Sequence, residues 1–220
     1  MGIRGPKPKG KVKIKWSANF AYAIGLLVSD GNLSPDGRHI TFISKDADQI
    51  ENFMVALGIN VTVGSSQSSY SNNKAFRVQF GDVLFYNFLV SIGLMPNKSK
   101  VIGEVNVPLK YFWHFLRGMF DGDGSIHSYF DPRWKSSFMF YTIFSSASAE
   151  YIAWLRKEIH NHAGVSGHVT GTTKTIFQLK YAKADSLIVL RAMYPNNRVL
   201  ALPRKRLKIK EILSIIGERL

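Results

Sequence analysis

The chain is predicted to be an α+β protein made of two pseudo-symmetric αββαββα repeats. Three observations predict this. The order helix, strands, helix, strand pair, helix can be read twice along the 220 residues. Each copy opens on an apolar helix that ends in an acid and a glycine, AIGLLVSDG at Ala23–Gly31 and LRGMFDGDG at Leu116–Gly124, the final acids lying 123 − 30 = 93 residues apart. The hydrophobic content of 45% and aromatic content of 13% are ample for a packed core.

Residues 1–16 precede the repeats. Arg4, Lys7, Lys9, Lys11, Lys13 and Lys15 lie there among Gly and Pro without an acid. Such a segment reads as a flexible basic arm, able to follow a phosphate backbone. It has no apolar h-region, so no secretory signal is expected, and an intracellular location with the host DNA is.

The first repeat spans residues 17–106. Ser17 can cap a helix whose apolar run continues to Val28, with Gly31 at its end. His39–Ser44 (HITFIS) is β-branched and aromatic and reads as a strand. Ala47–Gly58 has helical spacing and a Gly stop; Asn60–Gly64 and Ala75–Phe80 read as strands, and Asp82–Ile92 as a helix.

The second repeat, residues 107–220, follows the same plan. Val107–Gly124 reads as a helix, Ser136–Ser145 as a strand and Ser148–Gly164 as a helix stopped by Gly. Strands are expected at Gly167–Thr170 and Thr175–Tyr181, and a helix at Ala184–Met193.

Charge narrows the function. Lys and Arg number 29 against 15 acidic residues, a formal net charge of +14, which favours a polyanionic partner, nucleic acid first among them. The absence of cysteine excludes disulfides and thiolate zinc sites. No run of about 18 apolar residues is present, so no membrane span is expected.

The paired helix ends carry the chemistry. Gly25 and Gly118 each lie five residues before the final acid, Asp30 and Asp123. An interior helical Gly costs about 1 kcal/mol, so two at matched positions call for backbone-to-backbone helix packing that delivers both carboxylates to one place. A helix C-terminus disfavours a carboxylate, and two carboxylates repel. A divalent cation with hard oxygen ligands relieves both costs, so Asp30 and Asp123 are read as metal ligands.

These segments resemble the paired motif of LAGLIDADG homing endonucleases in their monomeric two-motif form, and the resemblance covers nearly the whole chain from Ser17. Val28 and Ser29 depart from the family pattern in the first motif; Asp30 and Asp123 stand at its metal-binding position. The resemblance implies two packed LAGLIDADG helices and a β-saddle whose sheets lie in the DNA major groove. It also implies a monomer acting as a pseudo-dimer on double-stranded DNA of about 20 base pairs, asymmetric because the halves differ. The implied activity is a metal-dependent double-strand break. Mg2+ is the implied cofactor, with Mn2+ substituting and Ca2+ binding without supporting cleavage. Intron association comes with the family.

By family position, Lys98 (reserve Lys100) and Lys205 in LPRK are the cations near the scissile phosphates. Ser44 and Lys45 match a position that orders water or phosphate, with Ser146 as the second-half counterpart. DNA readout is expected from Arg38, Arg77 and Gln79 in the first half. In the second it is expected from His127, Tyr129, Lys174, Gln178 and Lys180.

Other motifs carry less. The D-x-D-G run at Asp121–Gly124 would need an acid where Pro132 stands to bind calcium as an EF-hand. His160-Asn161-His162 sits at a helix end and reads as capping or surface; a zinc site with His168 lacks a fourth ligand. Trp113, Phe115 and Met119 recur at helical spacing and read as core. The alternatives to a nuclease are a DNA-binding regulator of the same fold and an RNA-binding intron maturase.

Overall fold

The computed structural model describes residues 10–68, 71–134, 136–173 and 175–220. The first repeat comprises α1 (Ala18–Asp30), β1 (Gly31–Leu33), β2 (His39–Ser44), α2 (Ala47–Leu57), β3 (Val63–Ser68), β4 (Ser71–Gly81) and α3 (Val83–Ser91). The second comprises α4 (Phe112–Asp123), β5 (Ser125–Phe130), β6 (Phe138–Ser146), α5 (Ala149–Ala163), β7 (His168–Thr173), β8 (Ile176–Tyr181) and α6 (Lys183–Met193). The two sheets have the same antiparallel topology, β1-β2-β4-β3 and β5-β6-β8-β7. This is the α+β arrangement of two αββαββα repeats that the helix and strand patterns predict.

Local chemistry sets the element ends. The Ser17 hydroxyl accepts the Phe20 N–H (3.1 Å) and the Ser148 hydroxyl that of Tyr151 (3.2 Å), each satisfying an orphan donor of a first helical turn. Gly58 and Gly164 stop α2 and α5 in the left-handed region, φ 64° and 71°, where a Cβ would be strained.

Each sheet buries one face. Alternation along β2 puts Ile40, Phe42 and Ser44 inside, and along β6 it does the same for Phe138, Phe140, Thr142 and Phe144. One continuous apolar core joins both repeats through α1 and α4, whose residues 20–28 and 115–121 are buried throughout. Phe115 and Met119 are core, and Trp113 packs against it.

Three features differ from the expectation. The strand expected at Asn60–Gly64 lies at Val63–Ser68, β3. A further helix, α7 (Pro203–Ile215), follows α6. Its buried residues Lys205, Ile209, Ile212 and Leu213 keep helical spacing, but the four further cations Arg204, Arg206, Lys208 and Lys210 among them hide that pattern in the sequence. The basic arm is also not free to residue 16. Val12 is buried in the core, and the Asp82 carboxylate accepts the Lys11 and Val12 N–H groups (2.6 and 2.9 Å) while also capping α3. Buried hydrogen bonds to a carboxylate outweigh the segment's polarity there. Arg4, Lys7 and Lys9 lie outside the described residues.

Candidate active site

Two glycines let α1 and α4 touch through their backbones. A Cβ on Gly25 would overlap the Phe115 carbonyl oxygen and lie 2.7 Å from the Met119 nitrogen. One on Gly118 would overlap the Tyr22 carbonyl oxygen and lie 2.9 Å from its carbon. Only hydrogen fits at either position. Further along the same crossing, a Cβ on Gly122 would meet Ser29 and sit 2.8 Å from the Asp30 Oδ2. The crossing therefore carries the end of α1 against the end of α4.

The glycines that follow the acids are needed for space rather than for φ. Gly31 and Gly124 are extended, with φ −84° and −73°. A Cβ would lie 2.6 Å from the Leu27 or Phe120 carbonyl oxygen, one turn back. The chain thus leaves each helix directly into β1 or β5, the strand beginning beside the acid.

The two carboxylates are electrostatically strained. Desolvation, then the Asp123 charge, raises Asp30 to about 6 despite the Lys205 and Lys98 charges. Asp123 is solvent-exposed, yet desolvation by the surrounding protein still raises its carboxyl above the usual range. Among the described residues neither acid has an ion-pair partner.

Lys98 and Lys205 are both buried and both bind the helix ends. The Lys98 ammonium donates to the Gly31 carbonyl. The Lys205 ammonium donates to the carbonyls of Phe120 (2.6 Å), Gly122 (2.9 Å) and Gly124 (2.6 Å), which uses all three of its hydrogens. Each lysine thereby neutralises a helix C-terminus beside an acid. Burial lowers both to about 8, partly countered by the nearby Asp charges. They occupy matched places, Pro96-Asn97-Lys98 after α3 and Pro203-Arg204-Lys205 after α6. A Pro-x-Lys comparison finds both; a fixed period does not, since 205 − 98 = 107 rather than 93.

A buried polar network, unforeseen from the sequence, fixes Lys205. Asp121 is fully buried and accepts the Tyr22 hydroxyl (2.8 Å), the Tyr194 hydroxyl (2.9 Å) and the Leu202 N–H at the start of α7 (2.7 Å). Arg117, one turn earlier and also fully buried, donates to the carbonyls of Leu200 (2.8 Å) and Met193 (2.7 Å). Desolvation raises Asp121, opposed by its hydrogen bonds from Leu202 and the two tyrosines and by the Lys205 charge, and desolvation lowers Arg117, opposed by the Asp121 charge. The signal was a second acid two residues before Asp123, on the face of α4 turned into the core.

The remaining predicted positions divide. Ser44 is buried, donating to Gln49 (2.6 Å) and accepting the Asp46 N–H (3.1 Å). Both contacts shape the turn into α2. Lys45 beside it is exposed, as is Lys100. Arg38, Arg77 and Gln79 are exposed in the first repeat, the Arg77 guanidinium donating to Gln79. His127 and Tyr129 are exposed on β5, and Gln178 and Lys180 are half-buried on β8. Tyr141, which was not anticipated, joins that outer face by stacking on Tyr129 at 6.3 Å between centroids. Lys174 lies outside the described residues. His160 and His162 lie at the end of α5, where His162 contacts the Glu158 carbonyl (3.1 Å) and Phe112, and His160 contacts Ser166.

No protein-family model matches this chain, and no curated protein matches it in sequence. Solved structures share its fold. The homing endonuclease I-WcaI, bound to its DNA recognition sequence, has a TM-score of 0.62 at 14% identity, covering 88% of this chain and 88% of that one. The chain has the LAGLIDADG fold. Full-length DUF199/WhiA from Thermatoga maritima matches with a TM-score of 0.57 at 17% identity, covering 96% of this chain and 64% of that one. The chain thus spans less than two thirds of that relative. I-DmoI in complex with DNA and calcium gives 0.53 at 11% identity, over 82% of this chain and 91% of that one. Its complex with DNA and manganese gives 0.50 at 11%, over 80% and 96%.

Within the LAGLIDADG fold, the two motif helices are α1 and α4, in the single-chain, two-motif form. Val28 takes the place that Asp121 takes in the second motif, so the buried acid network belongs to one half only.

Proposed function

We propose that this protein is a site-specific DNA endonuclease that makes a metal-dependent double-strand break in a long, asymmetric target. The observation that carries the reading is the pair Asp30 and Asp123, one from each repeat, without ion-pair partners among the described residues, at the meeting of two helix C-termini. Carboxylates raised by desolvation, and in Asp30 also by the Asp123 charge, suit a divalent cation, which favours their ionised form. Among the described residues no cluster of three or more His, Asp or Glu is placed to hold a metal. The two acids therefore fit a cation that takes its other oxygens from backbone, water and phosphate. Bound there, magnesium would supply Lewis-acid activation of the attacking water and charge neutralisation at the scissile phosphate.

The chain's own groups do the rest. Among the described residues Lys98 spends one ammonium hydrogen, on Gly31, which leaves two for a phosphate oxygen. Lys205 uses all three on carbonyls and positions the end of α4. The outer strand faces, with Arg77, Gln79, His127, Tyr129, Gln178 and Lys180, supply donors and acceptors suited to base edges and phosphates. A net charge of +14 drives association with duplex DNA. The DNA-bound state of I-WcaI and the manganese and calcium complexes of I-DmoI with DNA support a divalent cation working on DNA, for which the proposed ion is Mg2+.

The second reading is a DNA-binding protein of this fold without nuclease activity. Its support is the full engagement of Lys205, whose three ammonium hydrogens all go to backbone carbonyls, together with the match to WhiA across 96% of the chain. Selection from a randomised duplex library in calcium, followed by magnesium, separates the two. A recovered asymmetric site cut on both strands supports the endonuclease. A recovered site left whole supports the DNA reader, and recovery of no site overturns both. No helix among the described residues is long and apolar enough to cross a membrane.

A further inference from the structure

The segment that carries each buried lysine is tied to the opposite repeat. Asp46 and Ser148 occupy matched places, 148 − 46 = 102 residues apart, as the N-caps of α2 and α5. Each follows an inner strand, β2 or β6, by two residues, and its N–H is held by the serine that ends that strand, Ser44 or Ser146 (both 3.1 Å). From these caps the side chains cross between repeats. The Asp46 carboxylate makes no cap hydrogen bond among the described residues. It turns instead to Arg204 in the first turn of α7, which donates to it from Nε (2.9 and 3.0 Å) and Nη2 (2.8 Å). The Ser148 hydroxyl caps α5 and donates to the carbonyl of Ile102 in the first repeat (2.6 Å). A second contact accompanies each tie. Asn52 of α2 donates to the Ala201 carbonyl (3.0 Å), and a Cβ on Gly103 would lie 2.8 Å from the Glu150 Oε1 of α5.

The tied backbone is the backbone that aims the lysines. The Ile102 N–H returns to the Lys98 carbonyl (2.8 Å), closing the turn from which Lys98 reaches Gly31. Arg204 precedes Lys205 in the chain and reaches the first repeat, while Lys205 reaches the end of α4 in the second. Each lysine therefore serves its own motif helix from a segment pinned to the other half. The Arg204 side chain is 61% exposed, and an exposed ion pair adds little stability. What its forked geometry supplies is placement.

We propose that Arg204 and Ser148 are positioning residues that couple the two cleavage centres crosswise: the turn leaving β2 sets Lys205 in the second centre, and the turn leaving β6 sets Lys98 in the first. This rests on the reading of the motif ends as cleavage centres and of the strand faces as the DNA interface. The ties start at the ends of β2 and β6, so duplex engaged on one sheet bears on the lysine of the other half. A target matched on one half alone leaves one lysine unset, and the two nicks become linked.

The test has two arms. In the free full chain, Asp46→Asn should make the amides of residues 201–206, in the other repeat, exchange hydrogen about threefold faster. On a selected duplex in magnesium, each nick is first assigned to the acid whose variant, Asp30→Asn or Asp123→Asn, slows it more. Arg204→Ala should then slow the Asp123 strand about tenfold and the Asp30 strand little. Arg204→Lys should recover part of the loss, and Asp46→Asn/Arg204→Ala should be no slower than Arg204→Ala, because both act through one tie. A purely electrostatic effect runs the other way: the Asp46 charge, left without Arg204, would raise Asp30 further and slow the Asp30 strand. Ser148→Ala is the mirror variant and should slow the Asp30 strand. Should the lost cap unfold it, the Arg204 variants decide alone. Slowing of the Asp30 strand by Arg204→Ala, additive losses in the double variant, or unchanged exchange would overturn the crossed ties and leave the endonuclease reading standing. A wild type that binds duplex and cuts neither strand overturns that reading, and the exchange arm then decides the ties by itself.

Discussion

Gly25 and Gly118 face each other across the α1–α4 crossing, so closely that a methyl group on Gly25 would lie 3.0 Å from the Gly118 Cα. Everything at the helix ends depends on this approach, because a separation of the helices by one side chain would pull Asp30 away from Asp123. Gly25→Ala and Gly118→Ala should each destabilise the protein by at least about 3 kcal/mol, since the obstruction is backbone that cannot rotate away. Gly64→Ala, whose Cβ would meet only the Arg77 carbonyl at 3.8 Å, is the control and should have a small effect in urea titrations.

Magnesium should stabilise the protein in a pH-dependent way. Asp30 in the folded protein is raised to about 6, above its unfolded value near 3.9. Its ionisation therefore opposes folding, and its contribution is most favourable below about pH 4 and is lost as the pH rises through 6. A cation that binds the ionised form offsets the loss. The rise in melting temperature on adding magnesium should be large at pH 8, shrink through pH 6 and be small at pH 5; Asp30→Asn should flatten it. Equal shifts at pH 5 and pH 8 would contradict the assignment.

The repeats were legible because periodicity and glycine stops survive in the sequence: His39–Ser44 is a strand with the predicted ends, and Ala47–Gly58 a helix closed by Gly58. The paired acids were legible because acid-Gly recurs after matched helices. What was not legible depends on distant partners. The role of Asp121 requires Tyr22, Tyr194 and Leu202, up to 121 − 22 = 99 residues away. α7 was hidden because cations surround its apolar stripe, and Val12 because one apolar side chain within a basic run gives no period. The part that the Ser44 hydroxyl plays in the turn into α2 depends in the same way on partners, Asp46 and Gln49, that the sequence pattern does not mark.

The two lysines should separate by phenotype. Lys205→Met leaves three carbonyls at the end of α4 without their donor and should cost about 3 kcal/mol of stability. Lys98→Met removes one such bond and two free ammonium hydrogens, so it should cost less stability and impair strand cleavage more directly. Urea denaturation paired with single-turnover cleavage reads both; equal losses in both assays would show that the lysines act alike.

Asp121→Ala should be more damaging than its distance from solvent suggests. It leaves Arg117 buried without a countercharge and removes the acceptor of the Leu202 N–H, loosening α7. A loss of about 3 kcal/mol or more is expected. Limited proteolysis should open the chain first near residues 196–203; unchanged resistance there would argue against the anchoring role.

The most direct test of the central claim is cleavage of a selected duplex by Asp30→Asn and Asp123→Asn in magnesium, with binding measured in parallel in calcium. The account predicts that each variant binds within a few-fold of wild type and makes double-strand breaks at least about a hundredfold more slowly. Retention of full cleavage by both variants would contradict it, because the paired acids could then not be the centre of the reaction.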